Sequence, residues 1–219
     1  MGAGSDAAAA SIRIALARPE HVSSVGKVLA ASHADYPSFR HVFPDPTRRA
    51  AVLRTFFTGV ARDAVAFEAT YTATVDDRVL GVAIWLPPGR FPWSAGRQIR
   101  FVPTMLSVLR IAPRSFMPFA RYGANAARFH PTDKHWYLVV LGVKPEAQGL
   151  GIGTRLLQPI LARADQERLP CYLETAREEN VAFYQRRSFR VEHEALPLVP
   201  DGPTHWAMRR STLSTSGDR

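Results

Sequence analysis

The stretch HWYLVVLGVKPEAQGLGIG, residues 135–153, constrains this chain more than any other. His135 to Val143 runs through apolar and β-favouring residues almost without a break, the pattern of a strand covered on both faces. Gln148-Gly149-Leu150-Gly151-Ile152-Gly153 then forms a turn, after which Ile152, Leu156, Leu157, Ile160, Leu161 and Ala164 recur at helical spacing. A buried strand, a glycine turn and an amphipathic helix in succession define an α/β layer. The first turn of such a helix leaves several backbone N–H groups unpaired. Glycines let a ligand approach without meeting a Cβ, and the helix dipole favours negative charge at that end. A diphosphate is the natural occupant. Pro159, inside the helix, removes one hydrogen bond at a cost of about 3 kcal/mol and predicts a kink.

The remaining elements arrange themselves around this centre. Ile12 to Ala17 reads as a strand, and Val22, Val25, Val28 and Leu29 mark a helix after Pro19. HADYPSFRHVFPDP reads as a loop, followed by a helix from Pro46 to about Arg62. TYTATV and VLGVAIWL flank Asp76 and Asp77 as a hairpin that Pro87 and Pro88 stop. Residues 90–130 are basic and apolar and read as a helical insertion, which Pro103, Pro113 and Pro118 are expected to break into short pieces. PCYLET is a strand, NVAFYQRR a short helix, and SFRVEHEAL and THWAMRR two closing strands. The expected organisation is a flexible start at 1–11, one domain at 12–210 and a flexible tail at 211–219.

The hydrophobic fraction of 46% supports a sizeable core without staples. The single cysteine, Cys171, excludes an internal disulfide and gives no zinc-ligand spacing, so no metal is expected. It reads as a small core residue. The start lacks a basic, apolar secretory pattern, Asp6 stands where myristoylation needs Ser or Thr, and no apolar run approaches a membrane span of about 18 residues. A cytoplasmic protein without membrane partners is expected. The net charge of +9 is dispersed, as in Arg48-Arg49, Arg186-Arg187 and Arg209-Arg210, which fits a phosphate-rich small ligand better than nucleic acid. A monomer and a homodimer remain equally open.

Three readings of the glycine turn compete with a diphosphate cradle of its own kind. A P-loop needs a lysine after its glycines, and none follows. A dinucleotide fingerprint would place glycine at Thr154 and open a βαβ unit early in the chain. A tight turn with no ligand satisfies the same residues. Gln148, Gly151 and Gly153, spaced Gln-x-x-Gly-x-Gly after an apolar strand, resemble motif A of the GNAT N-acetyltransferases. The resemblance continues through ADYPSFRH, AIWLPP, CYLET, NVAFYQRRSF and Trp206, in the same order as in a member that modifies an aminonucleoside antibiotic. It covers Ile12 to Arg210, departing chiefly in residues 90–130, and a proline equivalent to Pro159 recurs in it.

That resemblance implies an α/β GNAT fold, a mixed and mostly antiparallel sheet of about six to seven strands flanked by helices, with acetyl-CoA as co-substrate. It assigns the diphosphate to Gln148, Gly149, Leu150, Gly151, Ile152, Gly153 and Thr154, and the pantetheine arm to Leu141, Gly142 and Val143.

Moving an acetyl group from a thioester to an amine needs a neutral amine, an acceptor for its proton and an acid for the departing thiolate. Asn180 and Tyr184, four residues apart on a short helix, share a face. By resemblance, Tyr184 is the general acid and Asn180 touches the pantetheine arm; otherwise they are a packed ring and an N-cap. A tyrosine near pKa 10 protonates a thiolate near 8.5 at an uphill cost of roughly 2 kcal/mol. Glu174, at a strand end, is the candidate base, with a solvated carboxylate as the plain alternative. Tyr36 is expected to contact the amine, and Trp85 and His41 to wall its pocket. An acetyl-cysteine route through Cys171 is disfavoured because no histidine lies near it in sequence. The expected acceptor is a small-molecule primary amine with an aromatic or apolar part, such as an aminonucleoside antibiotic. A protein N-terminus or lysine, or an acyl-CoA-binding regulator without turnover, are the alternatives.

Overall fold

A computed structural model describes residues 12–211; the expected flexible start, 1–11, and all but the first residue of the expected tail, 211–219, lie outside them. Seven strands form one sheet: β1 (Arg13–Leu16), β2 (Thr70–Val75), β3 (Arg78–Leu86), β4 (Trp136–Val143), β5 (Cys171–Thr175), β6 (Arg190–Leu196) and β7 (His205–Arg210). Their order is β1-β2-β3-β4-β5-β7-β6, and β4 with β5 is the parallel pair in an otherwise antiparallel sheet. β4 sits at the centre, as its apolar run predicts. The β2–β3 hairpin turns at Asp76 and Asp77, whose φ values of 46° and 60° fit a type I′ turn.

Helices cover both faces. α1 (Val22–Ser32) and α3 (Pro46–Ala64) pack Val25, Leu29, Leu53 and Phe57 against Val82, Ile84 and Val140 on one face. On the other, α6 (Ile152–Glu167) buries Ile152, Leu156, Leu157 and Ile160 against Ala83, Leu138 and Leu173. Each such side chain contributes roughly 1.5–3 kcal/mol by leaving water. α6 continues as one helix through Pro159.

Two expectations change. The loop before Pro46 contains a short helix, α2 (Pro37–Val42), started by extended Tyr36 and by Pro37 at its first position. Residues 90–130 are not short pieces but two 17-residue helices, α4 (Ala95–Ile111) and α5 (Pro113–Phe129). Pro113 does begin a helix, but Pro103 and Pro118 lie inside theirs. Each frees one carbonyl four residues back, at Ile99 and Arg114, both exposed residues where solvent can compensate the lost bond.

Arg97 anchors α4 to α3. Its Nε donates to both carboxylate oxygens of Asp63 at 3.1 Å, Nη2 also bonds Asp63, and the two side chains are only 7% and 13% exposed. The guanidinium stacks over Phe67 and Trp93 at 4.7 and 4.8 Å. Arg97→Met should cost about 3–5 kcal/mol in urea unfolding, since it strands a buried carboxylate. Adding Asp63→Leu should recover much of that loss.

Candidate active site

β4 and β5 pair only from Trp136↔Cys171 to Leu138↔Leu173. Beyond that, Leu141, Gly142 and Val143 pair with β3, while Glu174 and Thr175 pair with β7. A register shift at Ile84/Trp85 leaves Val139 bulged where the two strands part. The result is a cleft bordered by the residues expected to hold the pantetheine arm on one side and by the candidate base on the other. Gly142 is needed there because a Cβ would lie 2.3 Å from Ser32 Oγ and 2.8 Å from Leu29 Cδ2, so α1 rests directly on the strand backbone.

The glycine turn lies at the end of β4. Gly149 and Gly151 have φ values of 80° and 72°, a conformation L side chains avoid, and nothing stands within 4 Å of where either Cβ would be. Gly151 is the N-cap of α6 and offers no side chain, so the amides of Ile152, Gly153 and Thr154 lack intrahelical acceptors. Open space before a helix N-terminus suits a diphosphate. Gln148 closes the turn, its Nε2 donating to Val143 O at 3.2 Å. Leu150 is half-buried.

Sequence reasoning missed Arg187. Its guanidinium lies 3.6 Å over the Phe183 ring and bonds the Thr154 hydroxyl and the Phe183 carbonyl, bringing a cation to the first turn of α6. It lies in the turn just past the end of the helix that carries Tyr184, four positions after the Phe183 ring it covers.

The cleft mouth is tied together by a small network. Ala176 N donates to Tyr36 Oη at 2.6 Å, Tyr36 Oη meets Thr175 Oγ1 at 3.3 Å, and Asn180 Nδ2 donates to Thr175 Oγ1 at 3.0 Å. Asn180 is not an N-cap; Arg177 holds that position in α7 (Glu178–Gln185). Tyr184, on α7, is 7% exposed and packs its ring on Phe183 and Phe189. Burial raises the hydroxyls of both Tyr36 and Tyr184, and a charge on Tyr36 would be felt at Tyr184.

Glu174 is not a solvated carboxylate. Its side chain is 8% exposed, on the sheet face opposite α6, and Tyr137 Oη donates to Oε2 at 2.8 Å. Burial raises its carboxyl to about 7, against the smaller opposing pull of the Tyr137 and Tyr172 hydroxyls. A carboxyl so placed exchanges protons near neutrality. Tyr122, from α5, lies close enough to sense its charge, and bonds His205 Nε2 at 3.3 Å, which also meets Ser38 Oγ at 2.9 Å. The 90–130 segment therefore supplies part of the wall, which the sequence did not reveal.

Two expected wall residues stand elsewhere. Trp85 is fully buried in the core under α6, because the alternation of β3 puts Ala83 and Trp85 on that face. His41 is exposed on α2, its ring against Gly202. Cys171 is buried, its thiol pushed up to about 12, consistent with a core residue. Among the described residues, no group of three or more His, Cys, Asp or Glu is placed to hold a metal ion, and no helix is long and apolar enough to cross a membrane.

A split parallel pair, a glycine turn before a helix N-terminus and a buried carboxyl thus lie around one gap in an α/β sheet. The chain matches the acetyltransferase (GNAT) family over residues 31–189 and belongs to that family. It is 42% identical over 69 residues to an uncharacterized N-acetyltransferase of Schizosaccharomyces pombe, covering 32% of this chain and 28% of that protein. It is 41% identical over 59 residues to the 5-NmdU N-acetyltransferase of Pseudomonas phage PaMx11, covering 27% of this chain and 42% of that one. The matched stretches thus span less than half the length of these curated relatives. Among solved structures, "histone acetyltransferase HPA2 and related acetyltransferase" from Corynebacterium glutamicum superposes with a TM-score of 0.69 at 24% identity, covering 94% of this chain and 99% of that one. The paia N-acetyltransferase from Thermoplasma acidophilum, in complex with coenzyme A, gives 0.57 at 14% identity, covering 92% and 99%. Both share the fold, which is the expected α/β GNAT arrangement.

Proposed function

We propose that this chain is an acetyl-CoA-dependent N-acetyltransferase whose acceptor is the primary amine of a small molecule with an aromatic part, an aminonucleoside of the puromycin kind. The observation that carries the reading is the convergence of an open glycine cradle and a buried, proton-exchanging Glu174 on one gap between β4 and β5. The aromatic acceptor is supported by Tyr36, Tyr122 and Tyr137 around Glu174, all of which sense its charge, and by the sequence resemblance to puromycin N-acetyltransferase. Dispersed positive charge supports a phosphate-bearing carrier over nucleic acid.

Bound in the cleft, acetyl-CoA supplies the acetyl thioester. The amides of Gly149 to Thr154 hold its diphosphate, with Arg187 beside them. Glu174 takes the proton of the incoming ammonium, leaving a neutral amine to attack. As the C–S bond breaks, Tyr184 gives its proton to the sulfur and the nitrogen's second proton replaces it on the tyrosine, while Tyr36, fixed by the Ala176 amide, orients the acceptor.

The test measures thiol release from acetyl-CoA with puromycin, an aminoglycoside and a lysine-bearing peptide. Puromycin is expected to exceed the others in kcat/KM by at least about tenfold, a difference of about 1.4 kcal/mol in transition-state binding. Preference for the peptide would overturn the small-molecule reading, and binding of coenzyme A without thiol release from acetyl-CoA in the presence of any amine would make the chain a regulator. Gly151→Val should weaken coenzyme A binding in calorimetry and cost about 1–3 kcal/mol of stability, because valine is strained at that φ and its side chain enters the cradle.

A further inference from the structure

Glu174 has a neighbour to which the reaction gives no role. Among the described residues, its Oε1 is buried without a hydrogen bond, and so is His130 Nδ1, 4.0 Å away. Two buried polar atoms facing each other beyond bonding distance call for an explanation. The chain of bonds behind His130 supplies it. His135 Nδ1 lies 2.8 Å from the Asp133 carbonyl, which can only accept, so His135 carries its proton on Nδ1 and leaves Nε2 bare. His130 Nε2, 2.9 Å from that bare nitrogen, must then be the donor. His130 Nδ1 is therefore the lone pair turned toward Glu174.

His130 stays neutral. Burial, first, and then the neighbouring His135 and Arg209 push it down to about 3, with Asp133 opposing. His135, which also feels Glu192, is lowered as well. Phe91, Tyr137 and Tyr172 close around the His130 ring at 4.5, 4.6 and 5.3 Å between centroids. The groups facing Glu174 are Tyr137 and Tyr172 on the sheet, Tyr36 before α2, Tyr122 on α5 and His130 itself. Of these, Tyr137 donates to Oε2 and His130 alone offers a bare nitrogen to Oε1.

We propose that His130 is a positioning residue for Glu174, accepting a hydrogen bond from the proton that Glu174 takes off the acceptor ammonium, and that His135 fixes the tautomer this requires. The inference rests on the reading of Glu174 as the base. In the step, an N–H bond of the ammonium breaks and its electron pair stays on nitrogen. The proton forms an O–H bond at Glu174 Oε1, which closes on Nδ1, and the carboxylate–ammonium ion pair becomes a neutral acid beside a neutral amine. Against ionised Glu174 the same lone pair is repulsive. His130 therefore raises the carboxyl's proton affinity, which matches the base to an amine at neutral pH.

In the kinetic test, the acid limb of kcat/KM is recorded for the parent, His130→Phe and His135→Phe. Each variant should move that limb to lower pH by about one unit, a tenfold loss of proton affinity, with the KM for acetyl-CoA unchanged. Folded variants whose limb stays in place overturn the proposal. Should either variant fail to fold, or should no amine be turned over, imidazole ¹⁵N NMR of the parent decides. It should show His130 protonated on Nε2 and bare on Nδ1, with the Nδ1 resonance moving as pH falls from about 8 to about 5. That movement should vanish in Glu174→Gln. A proton on Nδ1 at the upper pH, or an Nδ1 signal indifferent to pH, overturns the dyad whatever the enzyme's acceptor proves to be.

Discussion

Glu174→Gln is expected to yield a protein that is more stable than the parent above neutral pH and slower in turnover by about 10²–10⁴. In the folded chain the carboxyl titrates at about 7, against an ordinary value of 4.5. Between those values the unfolded chain has already released its proton while the folded one keeps it. Stability therefore falls as pH rises through that window and stays low above it. A glutamine carries no charge to desolvate, so the gain should be absent near pH 4 and reach about 3 kcal/mol near pH 8. The amide also suits its surroundings: its oxygen can accept from Tyr137, and its NH2 can donate to the bare His130 nitrogen. Urea unfolding of both proteins at the two pH values measures the difference. Equal stabilities near pH 8 would mean that the carboxyl is not desolvated, and the poised base would go with it.

The second large effect is expected from Tyr184→Phe, which should lower kcat by about 10²–10⁴ while leaving coenzyme A affinity and melting temperature close to those of the parent. The ring's packing on Phe183 and Phe189 survives the change. Burial makes this tyrosine a weaker acid than a free one, which by itself enlarges the uphill step of roughly 2 kcal/mol set by the ordinary values. The same enclosure raises the thiolate's proton affinity, so much of the difference is preserved. A single-turnover measurement of thiol release checks it. Full activity in the variant would transfer the acid role to another group at the cleft mouth. Tyr36 is the next candidate, since the Ala176 amide donating to its oxygen stabilises the phenolate that proton loss would leave.

The centre of the fold was legible because its signals are local. The apolar run of β4, the glycine turn and the periodic face of α6 follow one another in sequence, and the Asp76-Asp77 hairpin needs only its own residues. The site was legible by residue but not by environment. Glu174 could be named, yet its burial depends on Tyr137, Tyr172 and His130, which come from three separate segments. Tyr36 and Thr175 lie 139 positions apart, and no periodicity links them. Trp85 was expected in the pocket wall from the resemblance, but the strand's alternation turns it toward α6. Proline was overweighted in α4 and α5, since the cost of a lost hydrogen bond depends on whether water can reach the freed carbonyl, which only the packed structure decides.

The three residue pairs joining β4 to β5 make the sheet two leaves hinged on a short spine. Past the spine, each leaf turns an unpaired backbone rim inward, where no second chain can zip onto it. A linear guest with amide groups of its own can thread that slot and knit the leaves together. Loading should then stiffen the whole sheet, and amide exchange along Leu141 to Val143 and at Thr175 should slow in step.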